Sequence, residues 1–141
     1  MNTSAPLASP PTPPLDDDYD RRFAGVGRVY GDAALQRFAE SHAVVVGLGG
    51  VGSWVVEALA RSAIGQLTLV DLDVIVASNV NRQLQATSEQ FGRGKADVLA
   101  ERARSINPRL HVRVVDDFLS RDNAQAILTP QPDLIFDCCD D

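Results

Sequence analysis

Basic charge is scarce in this sequence: 13 Lys+Arg stand against 19 Asp+Glu, a formal net charge of −6. The four aspartates of residues 1–20, which hold no lysine or arginine, account for most of that excess. A near-neutral body lacks the basic face that avid, sequence-blind nucleic-acid binding requires, although an enzyme acting on one particular RNA stays open. Long apolar runs are missing too, and none approaches the roughly 20 residues of a membrane span. The N-terminus has neither a basic start nor an apolar stretch, so it does not read as a secretory signal. The two cysteines, Cys138 and Cys139, are adjacent, which suits neither a disulfide framework nor a zinc site built on spaced pairs. These absences leave a cytoplasmic protein of a reducing compartment as the default, with no integral membrane segment.

What is present amounts to one domain: 141 residues, 45% of them hydrophobic, enough for a core. Five of the eight prolines fall in residues 1–20 among Ser, Thr and Asp. Such a segment buries too little apolar surface to offset its ordering entropy and reads as a disordered tail. From Arg21 the pattern changes. Asp32 is placed to cap a short helix carrying Leu35, Phe38 and Ala39 on one face. The run 43–47 (AVVVG) reads as a buried strand ending in glycine, and Val51, Val55, Ala58 and Leu59 recur at helical spacing up to a stop at Gly65. Residues 67–71 form a second strand, and a helix is expected from Lys95 to Ile106, before Pro108. Residues 111–117 make a third strand, 122–128 a short helix and 133–139 a fourth strand. Alternating strands and helices predict an α/β, Rossmann-like fold with a mostly parallel sheet and flanking helices. The chain ends directly after a strand, and the expectation is the N-terminal part of a larger domain, incomplete at its C-terminal side. Half a sheet would leave an open edge that favours aggregation and weak activity.

The most informative segment is Gly47-Leu-Gly49-Gly50-Val-Gly52, between the first strand and the first long helix. Gly47 permits the tight turn, Gly49 lets a phosphate approach the backbone, and Gly52 lets helix and strand pack closely. Free N–H groups and the helix dipole favour an anion there. Asp71 follows Gly52 by 19 residues, where an acid bonds a ribose hydroxyl. The polar stretch DLDVIVASNVNRQ (71–83) then leads to Lys95, the only lysine. Hydride transfer has no use for such a cluster, whereas displacement at a phosphate does. The plainer alternatives are a turn for Asp71 and Asp73 and a chance surface position for Lys95.

The succession GxGGxG, DxD, NxNRQ, a lysine and DxxD resembles the ThiF-type adenylating family, the fold of ubiquitin-activating enzymes and their bacterial relatives. The likeness runs over residues 21–141, and the segments 22–31 (RFAGVGRVYG) and 106–118 are similar to a subgroup of tRNA-modifying dehydratases. The resemblance implies that Gly47, Gly49, Gly50 and Gly52 line an ATP site, with Asp71 on the ribose. It implies Asp73 and Asp140 as Mg²⁺ ligands and Asn79, Arg82, Gln83 and Lys95 as triphosphate contacts, the catalytic weight falling on Arg82 and Lys95. Arg28 matches the arginine that dimers of the family insert into the partner's site, which implies a homodimer. The implied chemistry is ATP-dependent adenylation of a carboxylate. In that subgroup the substrate is tRNA carrying threonylcarbamoyladenosine, which is cyclised with net loss of water.

Other readings stay open. One is adenylation of the C-terminus of a small sulfur-carrier protein, with a sulfur-donor partner protein. Another is a non-catalytic nucleotide-binding remnant, and a third is a nicotinamide oxidoreductase. His42 and His111 flank strands and read as structural. Asp137 reads as a strand-edge residue, and Cys138 and Cys139 as buried strand residues that carry no thioester role.

Overall fold

In the computed structural model, which describes residues 18–140, two helices precede the sheet: α1 (Tyr19–Tyr30) and α2 (Asp32–Glu40). Then come β1 (His42–Val46), α3 (Gly52–Arg61) and β2 (Gln66–Val70). A long connection with two single-turn 3₁₀ helices leads to α4 (Lys95–Ile106), β3 (His111–Val115), α5 (Ala124–Ile127) and β4 (Leu134–Asp137). The four strands form one wholly parallel sheet in the order β3-β2-β1-β4. β1, with three consecutive valines (Val44–Val46), has no exposed member, as suits a central parallel strand.

One face carries the main core. Val45, Leu67, Leu69 and Val112 from the sheet meet Val56 and Ala60 of α3 and Leu99 and Ala103 of α4. Each of the valines and leucines contributes about 1.5–3 kcal/mol by leaving water. The opposite face is thinner, with Val44, Val46 and Val70 covered by Ile127 of α5. Glu57 of α3 ties α3 to α4 by accepting two bonds from Arg102 at 2.6 and 2.9 Å, with Arg61 joining at 2.8 Å.

Several local expectations need correction. Residues 1–17 of the expected tail lie outside the described residues, and Tyr19 and Asp20 are the first residues of α1, a helix the sequence reading did not place. Tyr19 and Phe23 are buried against Ala63, and Arg22 donates to the Ser105 and Ile106 carbonyls at the end of α4. Asp32 is the first residue of α2 and not its cap; Gly31 takes the cap position and no side-chain cap bond forms. α3 stops at Arg61, and the left-handed turn after it falls on Ala63 (φ +65°) instead of Gly65. Gly65 is needed for another reason, because a Cβ there would lie 1.8 Å from the Ala39 carbonyl oxygen. β4 ends at Asp137, so the two cysteines follow the strand, Cys138 half-buried and Cys139 exposed.

Candidate active site

The order of the strands reverses between β1 and β4, and in a doubly wound sheet the crevice for a ligand opens at the carboxyl ends of such a pair. A cleft of about 830 Å³ lies there, at the ends of β1 (Val46), β2 (Val70) and β4 (Cys138). Its walls include Gly47, Gly49, Gly50, Asp73, Asn79, Arg82, Gln83, Lys95 and Asp140, nine of the residues singled out from sequence. Gly52 stands just behind it, Asp71 is not on its wall, and Arg28 is remote.

The glycine loop is built by tight backbone approach. Gly47 has φ +85°, and its N–H donates to the Val70 carbonyl at 2.9 Å, which locks the turn onto β2. At Gly52, the first residue of α3, a Cβ would sit 1.7 Å from the Gly47 carbonyl oxygen, so no side chain fits. The loop peptides are then oriented by side chains. Asp71 accepts from the Leu48 N–H at 2.8 Å and from the Asp73 N–H at 2.7 Å. Ser53 Oγ donates to the Gly49 carbonyl at 2.6 Å. Neither the Gly49 nor the Gly50 N–H has a protein acceptor among the described residues, and both glycines line the cleft.

Cations and carboxylates face each other across the opening. Lys95 is only 6% exposed, which removes the surface-position alternative, and its Nζ lies 3.4 Å from Asp73 Oδ2. The Lys95 N–H also donates to the Asp73 carbonyl, so the start of α4 and the acid loop are pinned together. The alkyl stem of Arg82 covers Gly50, while its Nη1 donates to the Ser78 carbonyl and to Asn81 Oδ1. Trp54 Nε1 holds the Arg82 carbonyl at 3.0 Å. Asn79 is buried, with Oδ1 accepting from the Val76 N–H, and Gln83 is buried beside Gly49. Burial and the neighbouring Asp137 push the thiols of Cys138 and Cys139 up, away from reactive thiolate.

Among the described residues no three His, Cys, Asp or Glu side chains cluster closely enough to cage a metal ion. Two carboxylates on one cleft wall, Asp73 and Asp140, do suit Mg²⁺, which is held by one or two carboxylates when substrate phosphates supply further oxygens. Arg28 lies exposed in the last turn of α1 beside exposed Val29 and Tyr30, so it does not reach the cleft of its own chain. His42 is structural: it is buried, and its Nε2 shares a hydrogen bond with Thr68 Oγ1 at 2.8 Å. Sequence reasoning assigned no site role to Ser53, Gln85 or the wall formed by Asp117, Phe118 and Leu119 after β3.

A parallel sheet with a glycine loop at its switch point, facing a lysine, an arginine and paired acids, defines a nucleotide-binding α/β protein. The chain belongs to the ThiF family, whose model matches residues 19–141. It is 48% identical over 124 residues to the tRNA threonylcarbamoyladenosine dehydratase of Haemophilus influenzae, covering 88% of this chain and 48% of that one. The crystal structure of the Escherichia coli tRNA N6-threonylcarbamoyladenosine dehydratase in complex with ATP superposes with a TM-score of 0.87 at 46% identity, over 92% of this chain and 53% of that one. A sulfur carrier protein adenylyltransferase of Thermus thermophilus is 34% identical over 110 residues, 78% of this chain and 40% of the relative. The chain thus spans about half the length of these two dehydratases.

Proposed function

We propose that this chain carries the ATP-binding half of an adenylate-forming enzyme, whose substrate is the threonylcarbamoyl carboxylate on a tRNA adenosine. The observation that carries this reading is the convergence of Gly49, Gly50, Arg82, Lys95, Asp73 and Asp140 on one cleft at the switch point. Its substrate half rests on the likeness to dehydratases of that name.

A carboxylate oxygen attacks the α-phosphorus of ATP, the bond to the bridging oxygen breaks, and pyrophosphate leaves. Two anions must meet, and charge builds on phosphorus and on the leaving group. The Gly49 and Gly50 N–H groups donate to phosphate oxygens, while Lys95 and Arg82 neutralise the leaving charge, with Asn79 and Gln83 bonding the remaining oxygens. Asp71 bonds the ribose with lone pairs left over from its loop contacts. Asp73 and Asp140 would hold Mg²⁺, which supplies Lewis-acid stabilisation of the phosphates. In the acyl-adenylate the carbonyl is electrophilic; a neighbouring atom of the same modification closes a ring and AMP leaves, for a net loss of water. Arg28 acts in the cleft of a second copy, so the working unit is a homodimer. The likeness to a sulfur carrier adenylyltransferase supports a second reading, in which the carboxylate is a protein C-terminus.

Nucleoside analysis of tRNA from cells with and without the gene tests the assignment. Deletion is expected to replace the cyclised nucleoside with open threonylcarbamoyladenosine; unchanged nucleosides overturn it. ATP–pyrophosphate exchange that depends on a carrier protein would establish the second reading.

A further inference from the structure

Gln85 is buried at 3% exposure, and it contributes one bond to the loop: its Nε2 donates to the Leu48 carbonyl at 2.8 Å. The Leu48 oxygen can only accept, so the amide must turn its NH₂ inward, and Gln85 Oε1 is left buried with no partner among the described residues. A buried acceptor without a donor is costly and rare in folded proteins, whereas an apolar side chain of the same size would carry no such cost. The bond to Leu48 therefore has a use other than stability.

We propose that Gln85 is a positioning residue for the phosphate site. It fixes the Leu48–Gly49 peptide so that the Gly49 N–H faces the bound nucleotide. This rests on the nucleotide-binding reading above. In a planar trans peptide the carbonyl and the N–H point in opposite directions. Drawing the Leu48 carbonyl toward Gln85 turns the Gly49 N–H the other way, and that N–H has no protein acceptor among the described residues. The next peptide is set by the same logic, since the Gly49 carbonyl takes Ser53 Oγ at 2.6 Å and the Ser53 N–H at 3.1 Å. On the other side, Asp71 holds the Leu48 N–H. Three side chains thus set consecutive peptides of one loop. Gln85 lies two residues from Gln83 on the segment that also carries Arg82, so the wall that meets the triphosphate also aims the backbone donors.

The test is binding of ATP and of adenosine, by calorimetry, to the purified chain and its Gln85→Met variant. Loss of one aligned charge-assisted donor is expected to weaken ATP about tenfold. Adenosine, which has no phosphate, is expected to bind equally to both, and thermal stability to be unchanged or slightly raised. Equal ATP affinity in both chains overturns the proposal, as does parallel weakening of ATP and adenosine. No ATP binding by the unsubstituted chain overturns the nucleotide-binding reading and this inference together. NMR of the unsubstituted chain gives a reading that needs no variant. The Gly49 amide proton is expected to move downfield on addition of inorganic tripolyphosphate, and an unmoved signal overturns the proposal.

Discussion

At Gly52 a methyl group would meet the Gly47 carbonyl oxygen at 1.7 Å, backbone against backbone, with nothing free to give way. At Gly50 the same methyl would meet Arg82 Cγ at 3.2 Å, on a flexible and exposed side chain. Gly52→Ala is therefore expected to cost about 3 kcal/mol or more and Gly50→Ala within about 0.5 kcal/mol, as denaturant midpoints would show. Gly50→Ala should still weaken ATP, because it displaces Arg82. A second prediction concerns His42. Burial holds its pKa below the ordinary 6.5, with Arg113 and His111 acting in the same direction and Asp133 opposing. Above 6.5 the ring is neutral in both folded and unfolded chains, so its contribution is fully present. As pH falls from 6.5 toward the folded pKa, the unfolded chain takes a proton that the folded chain refuses, and stability declines. Replacing His42 by Gln is expected to flatten that part of the stability–pH curve; an unchanged slope would assign it to other groups.

Among the elements, the junction of α3 and α4 rests on Glu57. The hydrogen bonds from Arg102 and Arg61 hold its carboxyl below the usual 4.5, outweighing the opposing effect of burial. Its contribution is present above 4.5 and lost as pH falls through the lowered folded value. Glu57→Gln is expected to destabilise the chain by about 1 kcal/mol at neutral pH, with the difference from the unsubstituted chain vanishing in acid. The elements most legible in the sequence were those with a period of their own. β1, β2 and β3 fall within one or two residues of their β-branched runs, and α4 runs from Lys95 to Ile106 as expected. α1 was not legible, because Gly25 and Gly27 weaken it locally and its stability comes from Tyr19 and Phe23 on Ala63 and from Arg22 on α4. Ala63 in a left-handed conformation is a similar case, since burial overrides a preference that points to Gly65. In the cleft, the glycines and Arg82 were readable because they belong to contiguous motifs, and Lys95 because it is the only lysine. Gln85, Ser53 and Phe118 matter through contacts made only after folding.

On the scale of the whole molecule, the sheet is unevenly covered. α3 and α4 bury one face, whereas β4 pairs only with β1 among the described residues and leaves Leu134 and Ile135 about half exposed. An exposed apolar edge strand is a template for pairing with another chain. The purified chain is expected to self-associate as concentration rises, and Ile135→Lys to shift sedimentation velocity profiles toward monomer. Profiles unchanged by the substitution would place the contact elsewhere, the exposed Val29 and Tyr30 of α1 being the next surface to alter.

The strand order also sets a sequence of events in synthesis. β1, β2 and β3 lie side by side in the order in which they are made, and the groups that hold the glycine loop (Val70, Asp71, Ser53 and Gln85) all precede Lys95. Every residue that builds the phosphate cradle is therefore synthesised some forty residues before Cys138–Asp140. The wall that carries Asp140 follows later in synthesis, directly after β4, which pairs with β1, the strand that leads into the cradle.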